Sequence, residues 1–88
     1  MIFHLHTTLK FDRQIKKLDK NAQKQIVDYL LKNVENSQNP RNSGKALTGH
    51  LKGLWRYRAG DYRIICNIQD EEGIVLALET AHRKDVYK

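Results

Sequence analysis

The N-terminal half of the chain carries the hydrophobic spacing of helices. Met1–His6 alternates between apolar and polar side chains, which predicts a short first strand. Apolar residues then recur at helical spacing in two segments: Phe11, Ile15 and Leu18, followed by Ala22, Ile26, Leu30 and Val34. Thr7 or Thr8 can cap the first helix, and residues 19–21 separate it from the second. The sequence therefore predicts a strand followed by a two-helix hairpin.

The C-terminal half carries the pattern of strands. Residues 36–44 are rich in turn formers and end the helices, and residues 47–54, interrupted by two glycines, predict an irregular connection. Three β-rich runs follow, separated by hairpin-sized turns: Trp55–Arg58, Tyr62–Ile68 and Ile74–Thr80. The sequence thus predicts an α/β fold of the α+β type. Residues 1–88 form one domain in which a three-stranded antiparallel meander packs on the helices.

Alternation along the first hairpin sorts its side chains onto two faces. A turn centred on Ala59-Gly60 pairs Arg56 with Arg63 and Arg58 with Asp61. The helices then cover the face that carries the apolar and aromatic side chains: Trp55, Tyr57, Tyr62, Ile64, Cys66 and Ile68. The arginines share the other face, where directly opposed like charges cost roughly 0.2–1 kcal/mol unless an anion binds. Guanidinium groups bind phosphate oxygens in a bidentate manner, so the hairpin is a candidate phosphate or RNA-backbone site; exposed strand charges without a ligand give the same pattern.

Composition excludes several classes of protein. No apolar run approaches the roughly 18 to 20 residues that cross a bilayer, and the polar start lacks a secretory signal, which predicts a cytoplasmic protein with no membrane partner. The single cysteine, Cys66, allows no internal disulfide or cysteine-based zinc site and lies in an apolar run typical of a core. His4 and His6 can share one side of a strand, but the sequence offers no third ligand, so we expect neither metal nor cofactor.

Positive charge is concentrated in the middle of the chain. Sixteen Lys and Arg side chains against ten Asp and Glu give a net charge of +6. Residues 41–63 alone contain six basic side chains and one acidic side chain, a local charge of +5. Such a surface favours an anionic partner.

The C-terminal tail supplies groups for proton transfer. His82-Arg83-Lys84-Asp85-Val86-Tyr87 follows directly on the last predicted strand, so an imidazole, a guanidinium and a phenol can lie beside the arginine face. Metal-free RNA cleavage needs a base for the 2′-hydroxyl proton, cations for the phosphate charge and an acid for the leaving 5′-oxygen. Glu79 is the one carboxylate near these motifs, and it can equally be a surface charge.

Four short motifs occur in a fixed order: Leu47-Thr48-Gly49-His50-Leu51, Leu54-Trp55-Arg56-Tyr57-Arg58, Gly60-Asp61-Tyr62-Arg63-Ile64-Ile65 and His82-Arg83-Lys84-Asp85-Val86-Tyr87. Together with the predicted elements, this set resembles the RelE/ParE superfamily of bacterial type II toxins over essentially the whole chain. The resemblance implies a toxin that a RelB-like antitoxin wraps and blocks. For the RelE-like branch it implies a ribosome-dependent endoribonuclease that cuts mRNA in the A site without a metal or cofactor.

The resemblance also implies roles for single residues. Those expected to act in catalysis are Arg63, His82, Arg83 and Tyr87. Arg56 and Arg58 are expected to bind RNA phosphates, and Lys45 and Lys52 are added to this set as members of the basic middle segment. Arg63 matches the arginine that supports the scissile phosphate, and Arg83 and Tyr87 match groups assigned as acid and base. His82 is an alternative for these duties, because histidine suits proton transfer near neutral pH better than arginine does.

These observations lead to one main hypothesis and two alternatives. The main hypothesis is an mRNA interferase that works with mRNA and the 70S ribosome by 2′-hydroxyl attack, and that contacts operator DNA only through its antitoxin complex. The first alternative is a ParE-like toxin that inhibits DNA gyrase through protein contacts. The second is a degenerate toxin retained for antitoxin binding or autoregulation.

Overall fold

The computed structural model describes residues 1–86, which form a five-stranded sheet with two helices packed on one face. In chain order the elements are β1 (His4–Thr7), α1 (Leu9–Lys16), α2 (Lys20–Asn33), β2 (Lys45–Ala46), β3 (Trp55–Ala59), β4 (Tyr62–Gln69), β5 (Ile74–His82) and α3 (Arg83–Val86). The strand order is β1-β5-β4-β3-β2, with β1 parallel to β5 and all other pairs antiparallel. This arrangement confirms the predicted α+β class and adds β2 and α3 to the predicted elements.

Side-chain caps begin both long helices. Thr8 Oγ1 accepts a hydrogen bond from the Phe11 amide at 3.0 Å, and Asp19 Oδ1 accepts one from the Ala22 amide at 2.7 Å. These caps satisfy amides that have no partner within the helix. The predicted apolar stripe packs on the sheet, with Phe11, Ala22, Ile26, Leu30 and Val34 buried. None of the helices within residues 1–86 has the length and apolar character needed to cross a bilayer.

The helix-covered face of the sheet forms the other half of the core. Tyr57, Ile64, Cys66, Val75 and Ala77 are fully buried there, and Trp55, Tyr62 and Ile68 pack against them. The predicted core role of the aromatic strand residues is therefore confirmed. Two of them also hold the preceding loop: the Tyr57 hydroxyl donates to the Pro40 carbonyl at 2.6 Å, and Trp55 Nε1 donates to the Ser43 carbonyl at 2.8 Å.

The turn between β3 and β4 differs from the predicted one. Its central residues are Gly60 and Asp61, so Arg58 lies opposite Arg63 and the predicted pairs of Arg56 with Arg63 and Arg58 with Asp61 are wrong. Gly60 has a φ of 60°, which suits the first central residue of a type II′ hairpin turn. The change moves each cross-strand partner by two residues, which leaves the predicted side-chain faces intact because strand side chains alternate with a period of two.

Candidate nucleic-acid interface

Four predicted phosphate-contacting cations lie on the sheet face opposite the helices. Lys45 pairs with Arg56, Arg56 pairs with Ile65, and Arg58 pairs with Arg63, so these side chains occupy neighbouring positions on β2, β3 and β4. We call this cluster of Lys45, Arg56, Arg58 and Arg63 the basic face. The structure brings together one predicted catalytic residue and three predicted phosphate-binding residues. Like charges this close repel one another, and a bound polyanion would relieve that repulsion.

Burial differs among the members of the basic face. Arg63 is 7% exposed, whereas Arg58 and Lys45 are exposed and Arg56 is half-buried. The Nε atom of Arg56 is buried and has no hydrogen-bond partner among the described residues.

Charged residues around the basic face change the predicted charge map. The guanidinium of Arg41 makes a bidentate ion pair with the Asp70 carboxylate at 2.7 and 2.9 Å and lies 6.0 Å from the centre of the Trp55 ring. The hydrogen bond from Arg41 holds the pKa of the Asp70 carboxyl below its usual value. The Asp70 carboxylate thus balances the positive charge of Arg41. Lys52 follows the short 3-10 helix Gly49–Leu51 and is exposed, outside the strand rows that form the basic face.

A β-bulge in β5 determines which side chains of that strand lie on the same face of the sheet as Arg63. Ile65 pairs with Glu79 and its neighbour Cys66 pairs with Ala77, so Leu78 is an extra residue in β5. Side chains of the α1 segment bond the backbone at this point: Thr8 Oγ1 donates to the Leu78 carbonyl at 2.9 Å, and Gln14 Oε1 accepts from the Thr80 amide at 2.7 Å. The bulge reverses the alternation of β5 beyond Leu78.

This reversal places Glu79 on the same face as Arg63. Glu79 lies opposite Ile65, and its carboxylate makes an ion pair with Lys10 Nζ at 2.6 Å. The next residue, Thr80, points to the other face, where its buried hydroxyl donates to the Arg63 carbonyl at 2.7 Å. Arg63 is therefore held by its backbone as well as by its strand neighbours.

A cavity of about 320 Å³ opens beside Arg63. Its lining includes His50, Leu51, Arg63, Ile65, Glu79 and Ala81, and we call it the Arg63 groove. Residues that carry a guanidinium, an imidazole and a carboxylate therefore line one concavity. A guanidinium can bind a phosphate, and an imidazole and a carboxylate can transfer protons.

Because of the bulge, the His82 side chain points away from the Arg63 groove. His82 pairs with Tyr62 across the ladder, and their rings meet edge to face with centroids 5.4 Å apart. Tyr62 and His82 line a separate cavity with Lys17 and Leu18, at the end of α1. The expectation that the His82 imidazole lies beside the arginine face is therefore wrong, because the extra residue in β5 turns it toward the helices.

Arg83, which follows His82 in the tail, contacts the tip of the β3–β4 hairpin. The Arg83 amide donates to the Asp61 carbonyl at 2.7 Å, and Arg83 Nε lies 3.7 Å from Asp61 Oδ1, with both side chains more than 60% exposed. This contact keeps Arg83 at the end of the sheet that carries Arg58 and Arg63. Tyr87 lies outside the described residues.

Sequence reasoning did not select His50 as a functional residue. It lies within the first family motif, but only its fold, in the 3-10 helix beside β4 and β5, shows that it reaches the Arg63 groove. Across residues 1–86, no three His, Cys, Asp or Glu side chains gather as metal ligands would, and His4 contacts Glu35 at 3.1 Å instead.

Comparisons with known proteins extend along the whole chain. Residues 5–87 match the model of a family described as the ParE toxin of the type II toxin-antitoxin system parDE. The toxin RelG of Mycobacterium tuberculosis is 30% identical over 88 residues, which span 100% of this chain and 99% of that protein. Another toxin of that organism, RelE, is 29% identical over 86 residues, which span 98% of this chain and 87% of that protein.

The fold has similar solved structures. A chain in the crystal structure of the toxin-antitoxin complex RelBE2 from Mycobacterium tuberculosis superposes with a TM-score of 0.84 at 28% identity, covering 94% of this chain and 100% of that one. The isolated RelE toxin of E. coli superposes with a TM-score of 0.70 at 17% identity, covering 97% of this chain and 90% of that one, which bears on the fold alone.

Proposed function

The chain belongs to the RelE/ParE superfamily of toxins from type II toxin-antitoxin systems, and we propose that it is an endoribonuclease that cleaves mRNA in the ribosomal A site. Cleavage proceeds without a metal ion, by attack of a ribose 2′-hydroxyl on the adjacent phosphate. The observation that carries this proposal is the basic face, with the largely buried Arg63 beside a groove that also contains an imidazole and a carboxylate.

The basic face suits the charge changes of this reaction. Attack on the phosphate builds negative charge on its oxygens, and preorganised cations stabilise that charge without having to reorganise. Arg63 is fixed by its backbone hydrogen bond from Thr80 and by burial, so it meets this need better than the exposed cations. Arg56, Arg58 and Lys45 extend the positive surface along the hairpin and bind the flanking phosphates.

Two tail residues complete the proposed site. Arg83 is hydrogen-bonded to the tip of the β3–β4 hairpin, at the end of the sheet that carries the Arg58–Arg63 pair. It adds a further cation for the phosphate. Tyr87 remains a proposed catalytic residue, on the strength of its match to the tail motif of the superfamily.

The proposal includes an antitoxin as partner. Solved relatives from Mycobacterium tuberculosis and Pyrococcus horikoshii are RelB–RelE type complexes of toxin and antitoxin. Because the net charge of this chain is +6, we propose that its antitoxin is acidic and folds onto the basic face, which blocks RNA binding. Salt should then weaken the complex, and a complex whose affinity is insensitive to salt would contradict this charge argument. Contact with operator DNA comes through the antitoxin.

A second candidate function is inhibition of DNA gyrase. The description of the matching family as ParE toxin favours this reading. Gyrase inhibition through protein contacts does not require a buried arginine beside an imidazole and a carboxylate, which is why we rank it second.

A cell-free translation reaction tests the proposal. Purified protein is added, mRNA ends are mapped by primer extension, and Arg63→Ala and Tyr87→Phe are run beside the wild type. Arg13→Ala, an exposed arginine on α1, removes the same charge outside the basic face and serves as the control.

We expect new mRNA ends at the A site with the wild type and with Arg13→Ala, and none with the two site variants. Intact mRNA in the presence of folded wild-type protein would refute the RNase proposal. A gyrase supercoiling assay on the same sample would then decide the second candidate.

A further inference from the structure

One of the four histidines of this chain lies in the groove beside Arg63. All four lie within the described residues. His4 and His6 are on β1, where His4 contacts Glu35, and His82 faces the helix side beside Tyr62. His50 alone lines the Arg63 groove. We propose that His50 is a catalytic residue of the RNA cleavage, the acid that protonates the leaving 5′-oxygen, and that Glu79 in the same groove takes the proton of the 2′-hydroxyl.

Backbone hydrogen bonds hold the loop that contains His50. It lies in the 3-10 helix Gly49–Leu51, where the Lys52 amide donates to the Gly49 carbonyl at 3.1 Å and the Leu54 amide to the Leu51 carbonyl at 3.1 Å. The base of this loop closes through a hydrogen bond from the Leu47 amide to the Leu54 carbonyl at 3.0 Å. The imidazole itself is exposed. His50 thus combines a fixed backbone with access to a substrate.

The two proton-transfer roles follow from the chemistry of the two side chains and from the residues beside them. The Glu79 carboxylate makes an ion pair with Lys10 at 2.6 Å, and a carboxylate oxygen is a proton acceptor. Histidine is the side chain best suited to donate a proton in catalysis near neutral pH, and His50 lines the same groove. The other charged groups of the groove and of the elements beside it are Arg63 on β4, Lys10, which is paired with Glu79, and Lys52, which follows His50 on the same loop.

The inference rests on the proposed RNase function and specifies its chemistry. With Arg63 holding the phosphate, Glu79 removes the 2′-hydroxyl proton as the 2′-oxygen forms a bond to phosphorus. The bond from phosphorus to the 5′-oxygen breaks, and His50 donates its proton to that oxygen. The products are a 2′,3′-cyclic phosphate and a 5′-hydroxyl end. Proton exchange with water then restores both side chains.

Single-turnover cleavage of a defined mRNA on programmed 70S ribosomes tests this assignment. The variants are His50→Gln and Glu79→Gln, and His6→Gln is the matched control because His6 is an exposed histidine on β1. General acid–base groups contribute about 100- to 10,000-fold to a rate, so we expect His50→Gln and Glu79→Gln to lose at least about 100-fold. His6→Gln should cleave at the wild-type rate.

A sulfur-substituted mRNA separates a catalytic His50 from a structural one. Sulfur in place of the bridging 5′-oxygen at the cleavage site makes a leaving group that needs no protonation. His50→Gln should cleave this substrate within about tenfold of the wild type, since the acid contribution of about 100-fold or more is then not needed. Glu79→Gln should stay slow, because the 2′-hydroxyl proton must still be removed.

The outcomes distinguish the inference from the function on which it rests. Wild-type cleavage with no loss in His50→Gln, or a loss that sulfur does not rescue, overturns the role of His50 and leaves the RNase function intact. Failure of the wild type to cleave ordinary mRNA overturns both.

Discussion

Replacing Arg58 with glutamine tests whether the basic face binds single-stranded RNA. Arg58 is exposed and lies directly opposite Arg63, so the change removes one of four clustered cations without creating a cavity in the core. Cations that neutralise RNA phosphates release counterions, and for single strands the logarithm of the affinity falls with the logarithm of the salt concentration by about 0.7 per contact. Four contacts predict a slope of about −2.8, and three predict about −2.1.

These slopes are far enough apart to measure. Raising the salt from about 50 to about 200 mM should weaken wild-type binding about 50-fold and Arg58→Gln binding about 20-fold. Fluorescence anisotropy with a labelled oligonucleotide carrying 2′-O-methyl groups measures binding without cleavage, because the attacking hydroxyl is blocked. Lys20→Gln, which removes an exposed charge at the start of α2, should keep the wild-type slope.

Two results would refute the reasoning. An Arg58→Gln slope equal to that of the wild type would mean that Arg58 does not contact phosphates. An equal reduction in Lys20→Gln would mean that RNA responds to the overall charge of +6 and not to the basic face.

Three further predictions concern the scaffold. Tyr57→Phe removes a buried hydroxyl that donates to the Pro40 carbonyl at 2.6 Å, so urea unfolding should show a loss of about 1–3 kcal/mol, and an unchanged midpoint would contradict the importance of this bond. Burial raises the pKa of the Cys66 thiol to about 12, so a thiol reagent at pH 8 should label the native protein far more slowly than the unfolded one; equal rates would contradict that burial. The pKa of Asp70 is lowered by Arg41, so this pair stabilises the fold above the usual carboxyl pKa and is lost as the pH falls through the lowered value. Arg41→Gln should therefore shift the urea midpoint at pH 7 more than at pH 2, and equal shifts would contradict the assignment.

Much of the fold was predictable because local signals and packing agree. Thr8 and Asp19 cap helices whose apolar stripes are buried as their spacing predicts. The strand β2 was not predictable, since two exposed residues, Lys45 and Ala46, show no alternation and are held only by pairing with β3. The parallel pairing of β1 with β5 joins the two ends of the chain, and short-range patterns contain no information about such contacts.

The faces of the first hairpin were predictable even though its pairs were not. Both Ala59-Gly60 and Gly60-Asp61 place a glycine in a two-residue turn, and the two choices differ by two residues in register. Side chains alternate with the same period, so either turn places the arginines on one face. An error of two residues in the predicted pairing therefore does not change which arginines lie on the basic face.

The candidate site depends most strongly on a feature that alternation cannot predict, which is the bulge at Leu78. In a regular ladder, Cys66 opposite Ala77 would place Arg63 opposite Thr80, so Thr80 and His82 would share the basic face and Glu79 would point to the helices. Because Leu78 is an extra residue, Glu79 instead lies on the same face as Arg63, and Thr80 and His82 point to the helices. The backbone groups beside the bulge are bonded by Thr8 and Gln14, whose side chains reach β5 from the first helical segment. Polar side chains far away in the sequence therefore support the backbone arrangement that places Glu79, and not His82, on the same face as Arg63. This is why the tail motif alone assigns the imidazole to the wrong face.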